Sequence, residues 1–432
     1  MTNFVSNAIN HVDFDKVIEI KMKKENCIVA QSGGPTAAIN ASLAGVIDGV
    51  KKSGSFTRIY GSLHGITGVL ENNLMDMSLM ALSHFPMLNT LELTPAMYLG
   101  SCRYKLPDYD KDPVPYEQIF ERFEEYGIAA FFYIGGNDSM DTVMKLSAYA
   151  ESIHSDVRIV GIPKTIDNDL YATDHTPGFG SAAKYVASTM LEIAHDAYIY
   201  KIPAVIIVEI MGRDAGWLTA SSALARTTYS QAPDLIYLPE VAFSKEQFLK
   251  DVKNKLTKQK TVIVAVSEGI HDADGNYISS DSAVADKFGH AQLSGAGKAL
   301  EYLVRDEIGV KVRSIELNVL QRCAGHIASR TDITESFALG QAAVKYAAEG
   351  KTGIMVTINR ISNDPYQWVI QSADVSKIAN EAKSVPSEWI HPDGNDVTDE
   401  MIDYLRPLII GEISLQYKDG LPVYLPVDHL LH

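Results

Sequence analysis

Short apolar runs rich in β-branched residues recur along the chain, and segments with helical periodicity lie between them. Runs of this kind, bounded by glycine and polar residues, predict buried strands of a parallel sheet. The principal helices are predicted to begin near residues 37, 116, 139 and 181, with Ser139 as the cap of its helix. The predicted strands lie at 27–30, 58–60, 128–134, 157–162, 204–210, 235–238, 262–266, 313–317 and 354–358.

A chain of 432 residues, of which 46% are hydrophobic, has room for two or three domains of ordinary size. Repeated strand–helix units favour parallel sheets with right-handed crossovers. We therefore predict an α/β fold with two Rossmann-like lobes, in which parallel-rich sheets carry helices on both faces. A cleft is expected between the lobes.

Most of the apolar runs end in the same way, with glycine and charged or amide residues. The densest example is the segment 163–169, which places a lysine, a threonine, an asparagine and two aspartates directly after a predicted strand. Taken alone, this segment is equally typical of an Asx-rich turn. Because the carboxyl ends of parallel strands meet at one edge of a sheet, the recurrence of such endings predicts a composite ligand site there.

Composition and charge exclude several classes of protein. A formal net charge of -16 argues against nucleic-acid binding through a general basic surface, but not against small phosphorylated ligands. The cysteines Cys27, Cys102 and Cys323 are far apart and lack zinc-site spacing, as expected for reduced thiols. No apolar run reaches transmembrane length, and the N-terminus lacks the pattern of a signal peptide. We therefore expect a soluble cytoplasmic protein with no nucleic-acid or membrane partner.

The sequence contains no G-x-x-x-x-G-K-[ST] motif, which excludes a P-loop enzyme. Phosphoryl transfer without a P-loop requires donors for phosphate oxygens, carboxylates for Mg²⁺ and a base for the attacking hydroxyl. The chain offers candidates for all three roles in the loops after predicted strands. They are the backbone amides at 33–34 and 135–136 with Arg103 and Lys164 for phosphate, Asp138 and Asp169 for Mg²⁺, and Asp167 as the base.

A set of motifs, in their order and separation, resembles that of the phosphofructokinase family. The motifs are GGNDS at 135–139, PKTIDND at 163–169, MGR at 211–213, SEG at 267–269 and QR at 321–322. The resemblance covers roughly residues 25–345, and the segments outside it carry no recognisable motif. It implies a two-lobe phosphofructokinase-like fold and phosphorylation of the 1-hydroxyl of fructose 6-phosphate.

The resemblance also implies how the lobes are divided. Residues 1–178 with about 322–375 would form an N-terminal phosphoryl-donor lobe. Residues 179–321 with about 376–432 would form the sugar-phosphate lobe and a C-terminal extension. The family likeness further implies a Mg²⁺-dependent enzyme that assembles as a homodimer or homotetramer.

Asp138 and Lys164 bear on the phosphoryl donor. ATP-using members of the family commonly have glycine at both positions, and the side chain and charge of Asp138 should obstruct the α-phosphate of ATP. Lys164 offers a mobile point charge to a small inorganic donor. Both residues match the pyrophosphate-dependent branch. The resemblance therefore implies reversible phosphoryl transfer from pyrophosphate to fructose 6-phosphate, giving fructose 1,6-bisphosphate and phosphate.

The site residues implied by the resemblance fall into two groups. The pyrophosphate and metal side would consist of Gly34, Arg103, Asp138 and Lys164, with Asp138 as the metal ligand. On the sugar side, Asp167 would be the general base, supported by Thr165 and Asp169. The remaining sugar contacts would come from Met211, Gly212 and Arg213 at the sugar phosphate or the transferring group, Glu268 at sugar hydroxyls, and Arg313 and Arg322 at the 6-phosphate.

The sequence departs from the family pattern at three positions. Asn137 stands where the family usually has an aspartate, which weakens direct metal ligation there. Val319 replaces a histidine or tyrosine that often lies near the sugar phosphate, and Ala204 replaces an arginine that in ATP-using members reaches a neighbouring subunit. The last two leave the acceptor open, so that sedoheptulose 7-phosphate is a further candidate.

Three alternative functions are compatible with the same fold. The first is an ATP-dependent 6-phosphofructokinase, which Asp138 and Lys164 disfavour. The second is a non-catalytic regulatory subunit that binds sugar phosphates, which the presence of Thr165, Asp167 and Asp169 disfavours. The third is an α/β protein that binds sugar phosphates or nucleotides but has another chemistry.

Overall fold

The computed structural model of the protein describes residues 25–82, 86–278, 284–285, 291–292 and 295–431. None of the helices in these ranges is long and apolar enough to cross a lipid bilayer. The strands are β1 (Asn26–Gln31), β2 (Ile59–Ser62), β3 (Leu74–Asp76), β4 (Ile128–Gly135), β5 (Arg158–Pro163), β6 (Ala204–Ile210), β7 (Leu235–Tyr237), β8 (Thr261–Ser267), β9 (Val284–Ala285), β10 (Ala291–Gln292), β11 (Lys311–Glu316), β12 (Ile354–Asn363), β13 (Tyr366–Asp374), β14 (Tyr417–Lys418) and β15 (Leu421–Pro422). The α-helices are α1 (Ile39–Ser53), α2 (Ile66–Leu70), α3 (Ser78–Leu82), α4 (Pro86–Leu93), α5 (Val114–Glu125), α6 (Asn137–Ser152), α7 (Phe179–Tyr198), α8 (Trp217–Ala220), α9 (Lys245–Leu256), α10 (Ala296–Glu307), α11 (Arg330–Ala348) and α12 (Asp399–Leu405).

A seven-stranded sheet in the order β13-β12-β5-β4-β1-β2-β3 forms the first framework. Its inner pairs are parallel, and the edge pairs β12–β13 and β2–β3 are antiparallel. Successive residues of a strand point to opposite faces, so Val29 packs with α1 and α11 while Ile28 packs with α5 and α6. Burial of both faces explains why the inner strands have uninterrupted apolar runs.

A four-stranded parallel sheet in the order β11-β6-β8-β7 forms the second framework. Val208 and Ile210 of β6 pack with α7 and α8 on one face. Val205 and Ile207 pack with α9 and α10 on the other face. The predicted α/β fold with mostly parallel sheets and helices on both faces is confirmed.

The prediction that Ser139 caps a helix is wrong, because α6 begins earlier, at Asn137, with Gly136 preceding it. Ser139 instead lies buried against the end of β4: a Cβ added to Gly135 would be 1.9 Å from its Oγ. The antiparallel strands β3 and β13 are not among the strands predicted from the sequence. Both are edge strands, and β13 alternates between half-buried and exposed residues, so neither has the continuous apolar run that marks the inner strands.

The chain after β13 contacts both frameworks. Helix α12 contributes Met401 and Leu405 to the core that contains α7 and α8. Further along, the Leu425 N–H donates to Thr94 Oγ1 at 3.0 Å, beside the first framework. The predicted lobe boundaries stay a prediction.

Candidate active site

The loops after β1, β4 and β5 meet at one edge of the first sheet. Gly135 and Pro163, the last residues of β4 and β5, are paired, and Gln31 of β1 lies beside Ile134. The Lys164 N–H donates to Gly135 O at 2.9 Å, which keeps the two strands together past the end of β5. The polar endings of these strands therefore converge.

Lys164 is the central cation of this edge. Its side chain is only 2% exposed, and Nζ donates to the carbonyl oxygen of Gly34 at 2.7 Å. Burial lowers the pKa of Lys164 to about 8, although the charges of Asp167 and Asp169 oppose this shift. Gly33 has a φ of 82°, which favours glycine, and a Cβ there would lie 2.9 Å from Nζ, so a side chain at this position would displace the ammonium group.

Arg322 lies on the same side of the site as Lys164. It ends a 3₁₀ turn, Asn318–Arg322, and its Nη1 would be 3.6 Å from a Cβ added to Gly34. The buried Nε of Arg322 has no hydrogen-bond partner within the chain. A buried donor without a partner is energetically costly, so a bound anion would satisfy it. Arg322 is placed with the residues predicted to bind pyrophosphate, while its predicted contact with the 6-phosphate stays a prediction.

Asp167 and Asp169 form a carboxylate pair directly after Lys164. Thr165 joins them, since its Oγ1 accepts the Asp167 N–H at 3.1 Å, and its hydroxyl lies close enough to Asp169 to oppose the rise in the pKa of that carboxyl group. Burial and the neighbouring Asp169 charge raise the pKa of Asp167 to about 7, with Lys164 and Arg213 acting in the opposite direction. Burial also raises the pKa of Asp169. One carboxyl group of the pair can therefore exchange a proton near neutral pH.

The loops after β6 and β8 form the corresponding edge of the second sheet. Ile210 and Ser267 are paired, and the following residues are joined by a bond from the Gly212 N–H to Glu268 Oε1 at 3.3 Å. The Met211 N–H donates to Gln321 Oε1 at 3.3 Å, which connects this loop to the turn that carries Arg322.

Electrostatic coupling shows that this second edge faces Asp167. Burial raises the pKa of Glu268 to about 7, and the charge of Asp167 adds to the increase. Arg213 lowers the pKa of both Asp167 and Glu268. The structure therefore brings together Lys164, Asp167, Arg213 and Glu268, of which the first and last lie more than a hundred residues apart in the sequence.

Asp138 and Asn137 are the oxygen ligands that the start of α6 offers to a metal ion. Asp138 is exposed in the first turn of α6, and Asn137 Oδ1 is buried without a partner. The described residues contain no group of three or more His, Cys, Asp and Glu side chains that could enclose an ion. Mg²⁺ is usually bound by one or two carboxylates together with substrate phosphates and water, so this small oxygen set fits Mg²⁺.

Two predicted arginines occupy different surroundings. Arg103 is exposed and follows Ser101, whose Oγ donates to Gly33 O at 2.8 Å, so it belongs to the pyrophosphate edge. Arg313 is exposed on the edge strand β11, opposite Ile206. At about 3.3 Å per residue, Arg313 lies roughly 13 Å along the strand direction from the end of β6 at Ile210. The structure therefore does not bring Arg313 into the cluster of this single chain.

Two residues that no sequence motif marks contact the carboxylate loop. The Lys383 N–H donates to Asp169 O at 2.8 Å, and the Tyr404 hydroxyl accepts a hydrogen bond from Asn168 at 2.9 Å. Both lie in the C-terminal part of the chain, where no motif is recognised. No local signal marks them, because their contacts depend on how that segment folds back over the loop.

Comparison with known proteins agrees with this geometry. The family model described as phosphofructokinase matches residues 26–347. The chain is 40% identical over 412 residues to a protein of Xanthomonas campestris pv. campestris (strain B100) named pyrophosphate–fructose 6-phosphate 1-phosphotransferase, covering 95% of this chain and 97% of that protein. A protein of Halomonas elongata with the same name is 38% identical, covering 93% of this chain and 96% of its own.

Among solved structures, the chain resembles a pyrophosphate-dependent phosphofructokinase from Nitrosospira multiformis. The two superpose with a TM-score of 0.84 at 39% sequence identity, covering 93% of this chain and 96% of the other. The family match spans the loops after β1, β4, β5, β6 and β8 and every site residue predicted from the sequence, but not Lys383 or Tyr404. The chain belongs to the phosphofructokinase family.

Proposed function

We propose that the protein catalyses reversible phosphoryl transfer from pyrophosphate to the 1-hydroxyl of fructose 6-phosphate, giving fructose 1,6-bisphosphate and phosphate. The observation that carries the donor assignment is the buried Lys164 ammonium, which is bonded to Gly34 O in the loop after β1. A buried cation at a glycine turn suits a small, highly charged anion. The relatives that carry this activity in their names support the same assignment.

Asp138 supports pyrophosphate as the phosphoryl donor because its side chain disfavours the binding of ATP. Its carboxylate is exposed in the first turn of α6, at the position where ATP-using relatives commonly have glycine. A helix N-terminus otherwise favours a phosphate group. The negative charge of Asp138 cancels the positive potential of the helix N-terminus and repels the α-phosphate of a nucleotide. ATP would therefore meet both steric and charge repulsion at this position.

The chemistry requires one proton transfer and one exchange of P–O bonds. Asp167 accepts the proton of the 1-hydroxyl, the hydroxyl oxygen attacks the nearer phosphorus of pyrophosphate, and the bridging P–O bond breaks as phosphate leaves. Lys164 and Arg213 lie close enough to Asp167 to lower its pKa, so their positive charges also act on the reacting centre. A base whose pKa is about 7 can return the proton in the reverse reaction.

Mg²⁺ would neutralise phosphate charge when bound, with Asp138 as its carboxylate ligand and Asn137 Oδ1 as a weaker, uncharged oxygen ligand. On the sugar side, we assign Glu268 to sugar hydroxyls and Met211, Gly212 and Arg213 to the sugar phosphate or the transferring group. Thr165 and Asp169 hold the base loop. Arg313 and Arg322 are assigned to the 6-phosphate and Arg103 to pyrophosphate.

The assembly and location of the enzyme are part of the same proposal. The donor lobe consists of residues 1–178 with about 322–375, and the sugar-phosphate lobe of 179–321 with about 376–432. The exposed edge position of Arg313 is compatible with a homodimer or homotetramer in which it faces another subunit. All three cysteines are free thiols, as in proteins of reducing compartments, which supports a cytoplasmic location.

A panel of donors and acceptors tests the proposal. Formation of sugar bisphosphate is followed with Mg²⁺ and either pyrophosphate or ATP as the sole donor. We expect kcat/KM for pyrophosphate to exceed that for ATP by at least about 10²-fold, since a charged side chain at Asp138 must be accommodated before ATP can bind. Higher activity with ATP would refute the donor assignment. Sedoheptulose 7-phosphate is included as the competing acceptor.

The double variant Asp138→Gly, Lys164→Gly provides the matched test. It introduces glycine, the residue common in ATP-using members of the family, at both positions. We therefore expect loss of pyrophosphate use together with a gain in ATP use relative to the wild type. Asp138→Gly alone shows whether removal of the obstructing side chain is enough to improve ATP use, or whether Lys164 must be replaced as well.

A further inference from the structure

Asn168 separates the two carboxylates of the site and has an unusual backbone conformation. Its φ of 55° lies in the left-handed region, which asparagine adopts more readily than most residues other than glycine because its short side chain can form local hydrogen bonds. The side chain is completely buried: Oδ1 accepts the Thr176 N–H at 3.1 Å and Nδ2 donates to the Tyr404 hydroxyl at 2.9 Å. The direction of the chain at Asn168 determines where Asp167 and Asp169 point, so these two bonds support the orientation of both carboxylates.

Tyr404 is well held for this role. It lies on α12, and its hydroxyl donates its single proton to Asp174 O at 2.7 Å, which leaves the oxygen free to accept from Asn168. The ring packs against Trp217 and Trp389, with centroid separations of 5.4 Å and 5.2 Å. The guanidinium of Arg360 lies 4.5 Å from the ring centroid. The phenol therefore has one fixed position.

Lys383 attaches the same C-terminal segment to the other end of the carboxylate loop. Its N–H donates to Asp169 O at 2.8 Å, and the neighbouring Ala382 forms a β-bridge with Leu170. The buried Nζ donates to Asp174 O at 2.6 Å and to Thr173 O at 3.2 Å. Residues 382–404 thus contact the loop at Asn168, Asp169 and Leu170.

This segment is also bonded to the end of the loop that carries Arg213. Trp217 Nε1 donates to Lys383 O at 2.8 Å. Glu240 Oε1 accepts from the Gly216 N–H at 2.8 Å and from the Val385 N–H at 2.9 Å. The segment therefore connects the two loops that carry Asp167 and Arg213.

We propose that Tyr404 is a positioning residue for phosphoryl transfer, and that its hydroxyl acts through Asn168 to hold Asp167 in its reactive orientation. This inference rests on the proposed role of Asp167 as the base. The C-terminal segment, which carries no family motif, thereby becomes part of the active-site framework.

Tyr404→Phe tests the proposal, because it removes only the hydroxyl and keeps the packed ring. We expect kcat to fall about 10- to 100-fold, since small misplacements of a reacting group have effects of this size, while KM for both substrates changes less than about twofold. Tyr366→Phe is the matched control: its hydroxyl donates to Glu335 Oε1 at 2.6 Å in the same buried region but does not contact Asn168. We expect this control to keep its kcat. An unchanged kcat in Tyr404→Phe, or equal losses in both variants, overturns the inference.

Asn168→Gly supplies a second, independent measurement. Glycine accepts a positive φ without strain but removes both side-chain bonds, so kcat should fall as in Tyr404→Phe. If Tyr404 acts through Asn168, the double variant should be no slower than the slower single variant. Multiplicative losses would show that Tyr404 acts by another route and would overturn the inference.

Asp167→Asn distinguishes failure of this inference from failure of the proposed function. If Asp167→Asn is inactive while Tyr404→Phe is fully active, only the positioning role is wrong. If Asp167→Asn retains wild-type turnover, the base role is wrong and the positioning role fails with it.

Discussion

Replacing Asp167 by asparagine should make the protein less active but more stable. The ionised Asp167 carboxylate destabilises the folded chain, because burial and the charge of Asp169 raise its pKa to about 7. Asparagine has nearly the same shape and leaves the backbone bond from residue 167 to Thr165 Oγ1 in place. It removes the buried charge and its repulsion with Asp169.

The size of the gain follows from the pKa difference between the folded and unfolded chain. An unfolded aspartate titrates near 3.9, so a difference of roughly three pH units corresponds to at most about 4 kcal/mol. Asp167 keeps partial contact with solvent, and we therefore expect about half of this limit, about 2 kcal/mol, above pH 7. The folded chain binds more protons than the unfolded chain between pH 4 and 7. The stability of the wild type relative to Asp167→Asn therefore falls as the pH rises from 4 to 7.

Thermal unfolding at several pH values measures this difference. With an unfolding entropy of about 2.1 cal/mol/K per residue, a gain of ~2 kcal/mol raises Tm by about 2 °C for a chain of this length. The gain should be largest at pH 8 and shrink towards pH 4. Turnover should fall about 10²- to 10⁴-fold, the usual contribution of a positioned base.

Asp174→Asn provides a control of opposite sign. Burial raises the pKa of Asp174, but its bonds to His175 and Arg360 outweigh burial and lower the pKa overall. Removing this carboxylate should therefore destabilise the protein at neutral pH. An Asp167→Asn variant that is no more stable than the wild type at pH 8, or whose gain is the same at pH 4, would refute the reasoning.

Further predictions concern Lys164 and its neighbours. The kcat/KM for pyrophosphate should be bell-shaped in pH, with an acid limb near 7 from Asp167 and a basic limb near 8 from Lys164, and a profile flat from pH 5 to 10 would contradict both assignments. Lys164→Met should reduce kcat/KM for pyrophosphate at least about 10²-fold by removing a buried cation. Lys184→Met is its control, since Lys184 is also buried but bonds Gly411 O, and comparable losses in both would count against a specific role. Gly33→Ala should impair pyrophosphate use, because its Cβ would meet Lys164 Nζ at 2.9 Å, whereas Gly350→Ala has a similar φ with open space around it and should keep full activity.

The elements that the sequence predicted well are those whose signal is local. The strands β1, β4, β5, β6 and β8 are buried on both faces, and each is a continuous apolar run. Their polar endings were also recognisable as site residues from residue type alone. The edge strand β13 was missed because one of its faces is exposed, and the start of α6 was misplaced because Ser139 packs against Gly135 rather than capping the helix.

Residue type and order along the chain determined the α/β framework and the cluster of groups available for phosphate and proton chemistry. They did not determine which of those groups meet. Only the tertiary structure placed Arg322 beside Gly34 and Lys164, left Arg313 at an edge of the second sheet, and brought Tyr404 to Asn168. The physical reason is that strand burial and turn chemistry act over a few residues, whereas these contacts join segments more than a hundred residues apart. Such contacts form only when both sheets and the C-terminal segment are packed.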